Sequence, residues 1–241
     1  MWFPLRLTAN LGLGLTLRSL RLHRYRPLIE SIAPDRNAQS RAPIVWIAGA
    51  EPLDLPETPR VVNSLAAAGR HVFLSTTGIL LRRRIHEFQP SPRLHLTIRF
   101  DGAEVAHDGR AGRQGAFRDA LESVRTAKLS GFLLCAQLIL HAPSESVEIE
   151  RLHTDLCNLD FDGFVISPAS RVNEQLLNNV AALRRRLLSR RWALLSSLLD
   201  PVLSTSISTA PTPAVQSASR RSSEHALPAS SRSYEESVQT P

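Results

Sequence analysis

The chain contains few cysteines and few aromatic residues, and each shortage excludes a class of protein. Two cysteines in 241 residues, Cys135 and Cys157, cannot form the disulfide framework of a small extracellular domain, so we expect a reducing cytoplasm. They lack Cys-x-x-Cys spacing and are interpreted as packing residues, and His141 and His153 lack a second ligand at suitable spacing, so no metal site is predicted. Aromatic residues, 5% of the chain, do not interleave with the arginines, which argues against nucleic-acid binding.

Long hydrophobic runs are also absent. No segment approaches the roughly 18 uncharged apolar residues of a membrane-spanning helix, so no such span is predicted. The first residues, "MWFPLRLTANLGLGLTLRSL", imitate a signal peptide. They lack an early basic region and a small-residue cleavage site before Arg18, so we expect this segment to be retained.

Positive charge is in excess, with a formal net charge of +7. One group of arginines lies before residue 42, and a second, Arg184–Arg186 with Arg190 and Arg191, lies near the end of the predicted fold. These groups form either a solvated surface or a surface that attracts lipid phosphates. Residues 1–24 are accordingly interpreted as a basic amphipathic segment, which could place the protein peripherally at the inner face of a membrane.

From Ile44 onward, short apolar runs alternate with longer amphipathic segments. This alternation predicts an α/β fold in which parallel strands are covered by helices. The predicted strands are Ile44–Ala48, His71–Ser75, Leu94–Phe100, Phe132–Leu140 and Phe164–Ser167. The predicted helices are Pro59–Ala68, Ile79–Phe88, Gln114–Ser130 and Ser146–Leu159. Gly69, Gly131 and Gly163 stand between a helix and the next strand, where a left-handed cap favours glycine.

The end of the chain changes character. A long helix is predicted from about Asn173 to Leu199, ended by Pro201, within a C-terminal segment of residues 173–203. Residues 204–241 are rich in Ser, Thr, Pro and Ala and contain one aromatic residue, Tyr234. Such a segment cannot bury enough surface to offset its ordering entropy, so we predict a disordered tail.

Ligands of parallel sheets bind beyond the carboxyl ends of the strands, where four groups of polar residues stand. Gly49, Ala50 and Glu51 offer a carboxylate beside bare backbone, which suits a ligand ammonium or an ordinary turn. Thr76 and Thr77 offer hydroxyls that bind a ligand or cap a helix, and Asp101 offers a ribose acceptor or a turn. The last group consists of His107, Asp108 and Arg113, which bind an anion at a helix start or cap a loop.

Taken in order, seven stretches between about Tyr25 and Arg171 resemble the radical S-adenosylmethionine (SAM) superfamily, and most nearly its hopanoid-biosynthesis members. "RYRPLIE" is similar to that family's first strand, "IAGAEPLDLPE" to its Gly-Gly-Glu-Pro strand end, and "HVFLSTTGILL" to its Cys-Thr-Asn segment. "LHLTIRFDGAEVAHD" resembles the strand that ends in Leu-Asp-Gly. "RQGAF", "AKLSGF" and "FDGFVISPAS" then follow in the family's order and spacing.

The resemblance implies a partial (β/α)6 barrel over residues 25–172, with a shortened N-terminal part. It implies that Gly49, Ala50 and Glu51 contact the amino group of SAM, and that Thr76, Thr77 and Asp101 approach its methionine and ribose. The hopanoid-biosynthesis members add a 5′-deoxyadenosyl radical to the alkene of a hopanoid lipid. A hopanoid is therefore the substrate that the resemblance implies.

The chain departs from this family where the family binds its [4Fe–4S] cluster. The family places Cys-x3-Cys-x2-Cys after the first strand, whereas this chain reads "APDRNAQSRAPIVW" and also lacks the helix that should follow. Three thiolates are what such a cluster needs. Other departures are Ala50 for Gly, Ser75 for Cys, Thr77 for Asn and Arg99 for His.

These departures leave three hypotheses. The favoured one is a degenerate radical SAM-like protein without the cluster. The alternatives are an active enzyme whose cysteine loop was lost from the gene model, and a non-enzymatic protein that binds a membrane surface or a partner. Because parallel sheets are normally covered on both faces, the missing helix predicts bare apolar sheet that a protein partner would cover.

Overall fold

The computed structural model of the chain describes residues 27–35 and 39–207, with side chains described as far as residue 203. Six parallel strands follow one another in chain order across a single sheet, which curls into a half-barrel. The strands are β1 (Ile29–Ile32), β2 (Ile44–Ile47), β3 (His71–Thr76), β4 (Leu94–Phe100), β5 (Leu133–Leu140) and β6 (Gly163–Pro168). The predicted α/β class and partial (β/α)6 barrel are thus confirmed, and the five strands predicted from Ile44 onward are found within a residue or so.

Seven helices lie in the described part of the chain. They are α1 (Thr58–Ala67), α2 (Leu81–Arg84), α3 (Glu104–Ala111), α4 (Ala116–Leu129), α5 (Ser146–Cys157), α6 (Glu174–Leu187) and α7 (Arg190–Ile207). The main core lies on the convex side, where outward residues of the strands meet the helices. Alternate strand residues point to opposite faces, so Val45 and Ile47 face this core while Trp46 between them faces the concave side.

The connection from β1 to β2 is short, and no helix occurs in its described residues, 33–35 and 39–43. The two strands still pair in parallel, with Ile29 opposite Ile44. The apolar sheet predicted to be bare is not found at Val45 and Ile47, which are fully buried in the core that α1 shares. On β1, the polar Glu30 accepts a hydrogen bond from the Ser40 hydroxyl at 2.6 Å. A covering protein partner stays a prediction.

Between β3 and β5, one predicted helix is much shorter than expected and one helix was not predicted. The segment predicted as helix Ile79–Phe88 contains α2, of only four residues, followed by a single 3-10 turn at Ile85–Glu87. The segment expected to be a loop after Asp101 instead contains α3, which ends at Gly112 in the left-handed conformation. That helix is short and has only one buried residue, His107, so its apolar periodicity is too weak to be recognised.

The predicted single C-terminal helix is wrong: the segment forms two helices, α6 and α7. Leu188, extended at φ −101° and ψ 146°, ends α6, although no glycine or proline marks the break. Pro201 lies inside α7 and does not end it, and α7 continues to Ile207 into the segment predicted to be disordered. The rest of that predicted tail, 208–241, and the predicted amphipathic segment 1–24 lie outside the described residues.

The two C-terminal helices occupy opposite faces of the sheet. The apolar side of α6 joins the convex core, whereas α7 lies across the concave face and contacts both edge strands, β1 and β6. There Leu199 is fully buried in a second core with Trp46 and Phe73, and Trp192 and Leu195 pack against it. The helix therefore closes the open side of the half-barrel.

Close packing of α7 against β6 explains why residue 163 is a glycine. A Cβ atom at Gly163, the first residue of β6, would overlap the ring of Trp192. Gly163 therefore serves close approach rather than the left-handed cap predicted for it, while Gly69 and Gly131 do have positive φ. The left-handed residue before β6 is Asp160, at φ 56°.

A buried ion pair fixes α7 to its neighbours. The guanidinium of Arg184 on α6 donates two hydrogen bonds to the carbonyl of Ile166 on β6, and two more to the carboxylate of Asp200 on α7 at 2.6 and 2.7 Å. Arg184 is 6% exposed, so one of the arginines assigned to the basic surface belongs to the interior.

Candidate functional site

The end of β2 brings Glu51 to the neighbouring end of β3. One carboxylate oxygen, Oε1, accepts hydrogen bonds from the Leu53 amide at 3.1 Å and the Thr76 hydroxyl at 2.8 Å. The other, Oε2, accepts from the Thr77 amide at 2.8 Å and the Thr77 hydroxyl at 2.5 Å. The structure therefore brings three of the predicted site residues, Glu51, Thr76 and Thr77, into one contact.

This contact satisfies the Glu51 carboxylate. Two carboxylate oxygens offer about four acceptor positions, and four donors occupy them. Glu51 thereby caps the 3-10 turn at Pro52–Asp54 and ties the loop after β2 to β3. A ligand ammonium would replace or share some of these donors, so binding requires local rearrangement.

Asp101 follows β4 and forms a second polar centre with the end of β5. Its Oδ1 lies 2.9 Å from Nε2 of His141, and its Oδ2 lies 3.5 Å from Nε of Arg99. Burial raises the pKa of the Asp101 carboxyl, but the hydrogen bond from His141 and the positive charge of Arg99 outweigh it and leave the pKa below its usual value. Asp101 is therefore held as a carboxylate, and His141 is a partner that the sequence did not indicate.

The residues of the fourth predicted group, His107, Asp108 and Arg113, make separate structural contacts. The His107 ring is buried between Phe100 and Phe117, and its Nδ1 accepts the Asp101 amide hydrogen at 3.1 Å. Burial lowers the pKa of His107, because a charged ring would lose solvation, although nearby Asp101 opposes this shift. His107 thus fixes the backbone beside Asp101.

Asp108 and Arg113 surround the start of α4. The Asp108 carboxylate accepts hydrogen bonds from the amides of Phe117 and Gly115, at 2.8 and 2.6 Å, and these bonds lower its pKa. Arg113 pairs with Asp119 at 2.5 Å. The Asp108 carboxylate thus occupies the start of α4, where the sequence analysis left open either an external anion or a capped loop.

A cavity of about 210 Å³ opens on the concave face at the strand ends. Gly49 and Ala50, both predicted site residues, form part of its wall. The other lining residues are Trp46, Ala48, Ser75, Arg99, Gln137, Ile139, Ser167, Pro168, Ala169 and Leu203. Four of these, Ser75, Arg99, Gln137 and Ser167, are inward polar residues that the sequence analysis did not assign to the site. Their strand positions, alternating with mostly apolar outward residues, are the signal that could have identified them.

The residues present do not fit a [4Fe–4S] cluster. The loop between β1 and β2 contains no cysteine. Cys135 is buried in β5 on the concave face, whereas Cys157 is exposed, contrary to its interpretation as a packing residue. Because α5 runs back toward the start of β6, Cys157 at its end lies at the far edge of the sheet from the strand ends. No group of three or more His, Cys, Asp or Glu side chains converges among the described residues.

The described helices include none that is long and apolar enough to span a membrane.

Comparison with known proteins shows what the chain is similar to in sequence. The sequence model of the radical SAM superfamily matches residues 29–156, more than half of the 241-residue chain. The AdoMet-dependent heme synthase of Methanosarcina barkeri is 31% identical over 100 residues, which cover 41% of this chain and 29% of that protein. The chain therefore aligns with less than a third of this relative's length.

Solved structures show the same fold. SuiB of Streptococcus suis superposes with a TM-score of 0.52 at 11% identity, over 68% of this chain and 48% of that one. SuiB bound to S-adenosylmethionine gives a TM-score of 0.51 at 12% identity, over 68% and 46% of the two chains. At these identities the likeness concerns the fold alone. The family match, together with the six-stranded half-barrel, shows that the chain belongs to the radical SAM superfamily.

Proposed function

We propose that the chain is a radical SAM scaffold that binds SAM weakly through Glu51 and lacks the cluster-dependent redox chemistry. The observation that carries this proposal is the position of the Glu51 carboxylate, at the end of β2 and in contact with Thr76 and Thr77 at the end of β3. The family match includes all three residues. An ammonium group is the natural ligand of a carboxylate in this position.

Weak binding follows from two features of the site. The carboxylate already accepts four hydrogen bonds, so an ammonium gains less than it would at a free carboxylate. The adjoining cavity of about 210 Å³ is smaller than the roughly 300 Å³ at which pockets for drug-sized ligands begin. The methionine end of SAM would bind at the sheet edge, while the nucleoside would extend beyond the cavity toward Asp101.

We further propose that the chain is a degenerate relative of the hopanoid-biosynthesis members. Support comes from the seven stretches in the order and spacing of that group, and from the absence of cysteine in the β1–β2 loop. The alternative, an active enzyme whose loop was lost from the gene model, predicts Cys-x3-Cys-x2-Cys in the genomic DNA beside the Ile32–Pro43 junction. Sequencing that locus separates the two.

Isothermal titration tests SAM binding directly. We expect weak binding by the unaltered chain, loss of binding in Glu51→Ala and weaker binding in Glu51→Gln, which keeps the side-chain size but loses the charge. Asp54→Asn removes an exposed carboxylate three residues away and serves as the matched control. Since Glu51 also ties the loop to β3, the melting temperature of each variant must be measured. Binding by a folded Glu51→Ala protein as tight as that of the unaltered chain would refute the role of Glu51.

A further inference from the structure

The cavity on the concave face, at the strand ends, is lined by a single charged residue. Among the twelve residues that line it in the described part of the chain, Arg99 is the only charged one. Arg99 lies on β4, two residues before Asp101, with a side chain 28% exposed. Asp101 itself is not among the lining residues. The cavity therefore presents one fixed positive charge and no negative charge.

The guanidinium of Arg99 has unused hydrogen-bonding capacity. Its contact with Asp101 is 3.5 Å long, beyond the roughly 2.7–2.9 Å of a charge-assisted hydrogen bond. The other oxygen of the Asp101 carboxylate is hydrogen-bonded to His141 at 2.9 Å, so Asp101 shares its negative charge between two partners. Arginine has five N–H donors in a planar fork that matches a carboxylate. A carboxylate in the cavity could therefore pair with Arg99 more closely than Asp101 does.

Apolar surfaces line the rest of the cavity, and two buried polar atoms without a partner lie in residues of its wall. Trp46 and Ser167 are at most 3% exposed, and the described residues provide no hydrogen-bond partner for Trp46 Nε1 or for Ser167 Oγ. Buried polar groups without a partner are uncommon. Both atoms are closed off from the cavity, so a ligand would reach them only after a local shift of the wall. Ile139 and Leu203 contribute apolar surface to the same wall.

We propose that this cavity binds a small organic carboxylate with a short apolar body, held by Arg99. The volume of about 210 Å³ suits a molecule of amino-acid size. A compact anion also fits the charge of the wall better than SAM does, because SAM has a net charge of +1 and the one charged lining residue, Arg99, is positive. The proposal does not depend on SAM binding, and it concerns the cavity rather than the Glu51 contact.

Titration with isovalerate, in the absence of SAM, tests the proposal, with the neutral isovaleramide as a ligand of nearly the same shape. We expect isovalerate to bind with a millimolar dissociation constant, and the amide to bind at least tenfold more weakly. Arg99→Gln should weaken isovalerate binding at least tenfold, while Arg99→Lys, which keeps charge but loses the fork, should be intermediate. Arg82→Gln removes an exposed arginine of α2 and should change nothing.

The proposal would be overturned by no isovalerate binding up to tens of millimolar, by equal binding of acid and amide, or by unchanged binding to a folded Arg99→Gln protein. Inorganic phosphate at the same ionic strength forms a further arm, and phosphate binding as tight as that of isovalerate would refute recognition of a carboxylate with an apolar body. The comparison of the two ligands uses the unaltered chain, so it stands even where a variant fails to fold. Because the isovalerate titration contains no SAM, its outcome does not depend on whether the separate titration detects SAM binding.

Discussion

Replacing Arg184 by Met should destabilise the protein far more than replacing its neighbour Arg186. Arg184 is buried and joins α6, β6 and α7 through Ile166 and Asp200, and Asp200 is itself only 19% exposed. Breaking a buried ion pair by removing one member costs about 3–5 kcal/mol. Here the Ile166 carbonyl also loses its two donors from Arg184. Natural domains have unfolding free energies of about 5–15 kcal/mol, so this loss is a large fraction.

Urea unfolding followed by circular dichroism measures the effect. Arg186 pairs with Glu150, but its side chain is 58% exposed, so Arg186→Gln should cost less than about 1 kcal/mol. The double variant Arg184→Met with Asp200→Leu replaces both members of the pair by apolar side chains, and part of the lost stability should return. Equal effects of Arg184→Met and Arg186→Gln on the free energy of unfolding would refute the stabilising role of the ion pair that joins α6 to α7.

Two further predictions concern the concave face. Gly163→Ala should lower the free energy of unfolding by about 1–3 kcal/mol, because its Cβ would overlap Trp192, whereas Gly109→Ala, in the open on α3, should be neutral or stabilising. Burial lowers the pKa of His95 from 6.5 to about 4, so the folded protein binds this proton less readily than the unfolded chain does. Stability should therefore be complete above pH 6.5 and fall by up to about 3 kcal/mol as the pH drops toward 4, and His95→Phe should flatten that decline in pH-dependent melts. An unchanged slope in His95→Phe, or equal stability of the two alanine variants, would contradict these assignments.

The strands could be predicted because their signal is local. Leu133–Leu140 is mostly apolar on both faces, as buried parallel strands are, and Leu94–Phe100 has a fully apolar outward face. The glycines Gly69 and Gly131 mark the chain reversals before β3 and β5. The order of polar strand ends then placed Glu51 beside Thr76 and Thr77, because the ends of parallel strands meet at one edge. The contacts of these residues were not predictable, since they depend on side-chain rotamers.

The position of α7 could not be predicted, because it depends on the tertiary structure. Nothing in the residues around Leu188 distinguishes a helix break from a continuous helix. The break between the two helices is favourable because α6 packs on the convex face of the sheet and α7 packs on the concave face. The same holds for Arg184, which has the sequence context of a surface arginine, and for Arg99, whose role depends on the cavity.

We propose that this chain retains a radical SAM scaffold without the means to hold the cluster. Anaerobic reconstitution with iron and sulfide, followed by dithionite and SAM, tests it most directly. The loop between β1 and β2 offers no thiolate, Cys135 is buried in a strand and Cys157 lies on a helix. We therefore expect no stoichiometric [4Fe–4S] absorbance and no 5′-deoxyadenosine. A stoichiometric cluster signal accompanied by 5′-deoxyadenosine would contradict the claim.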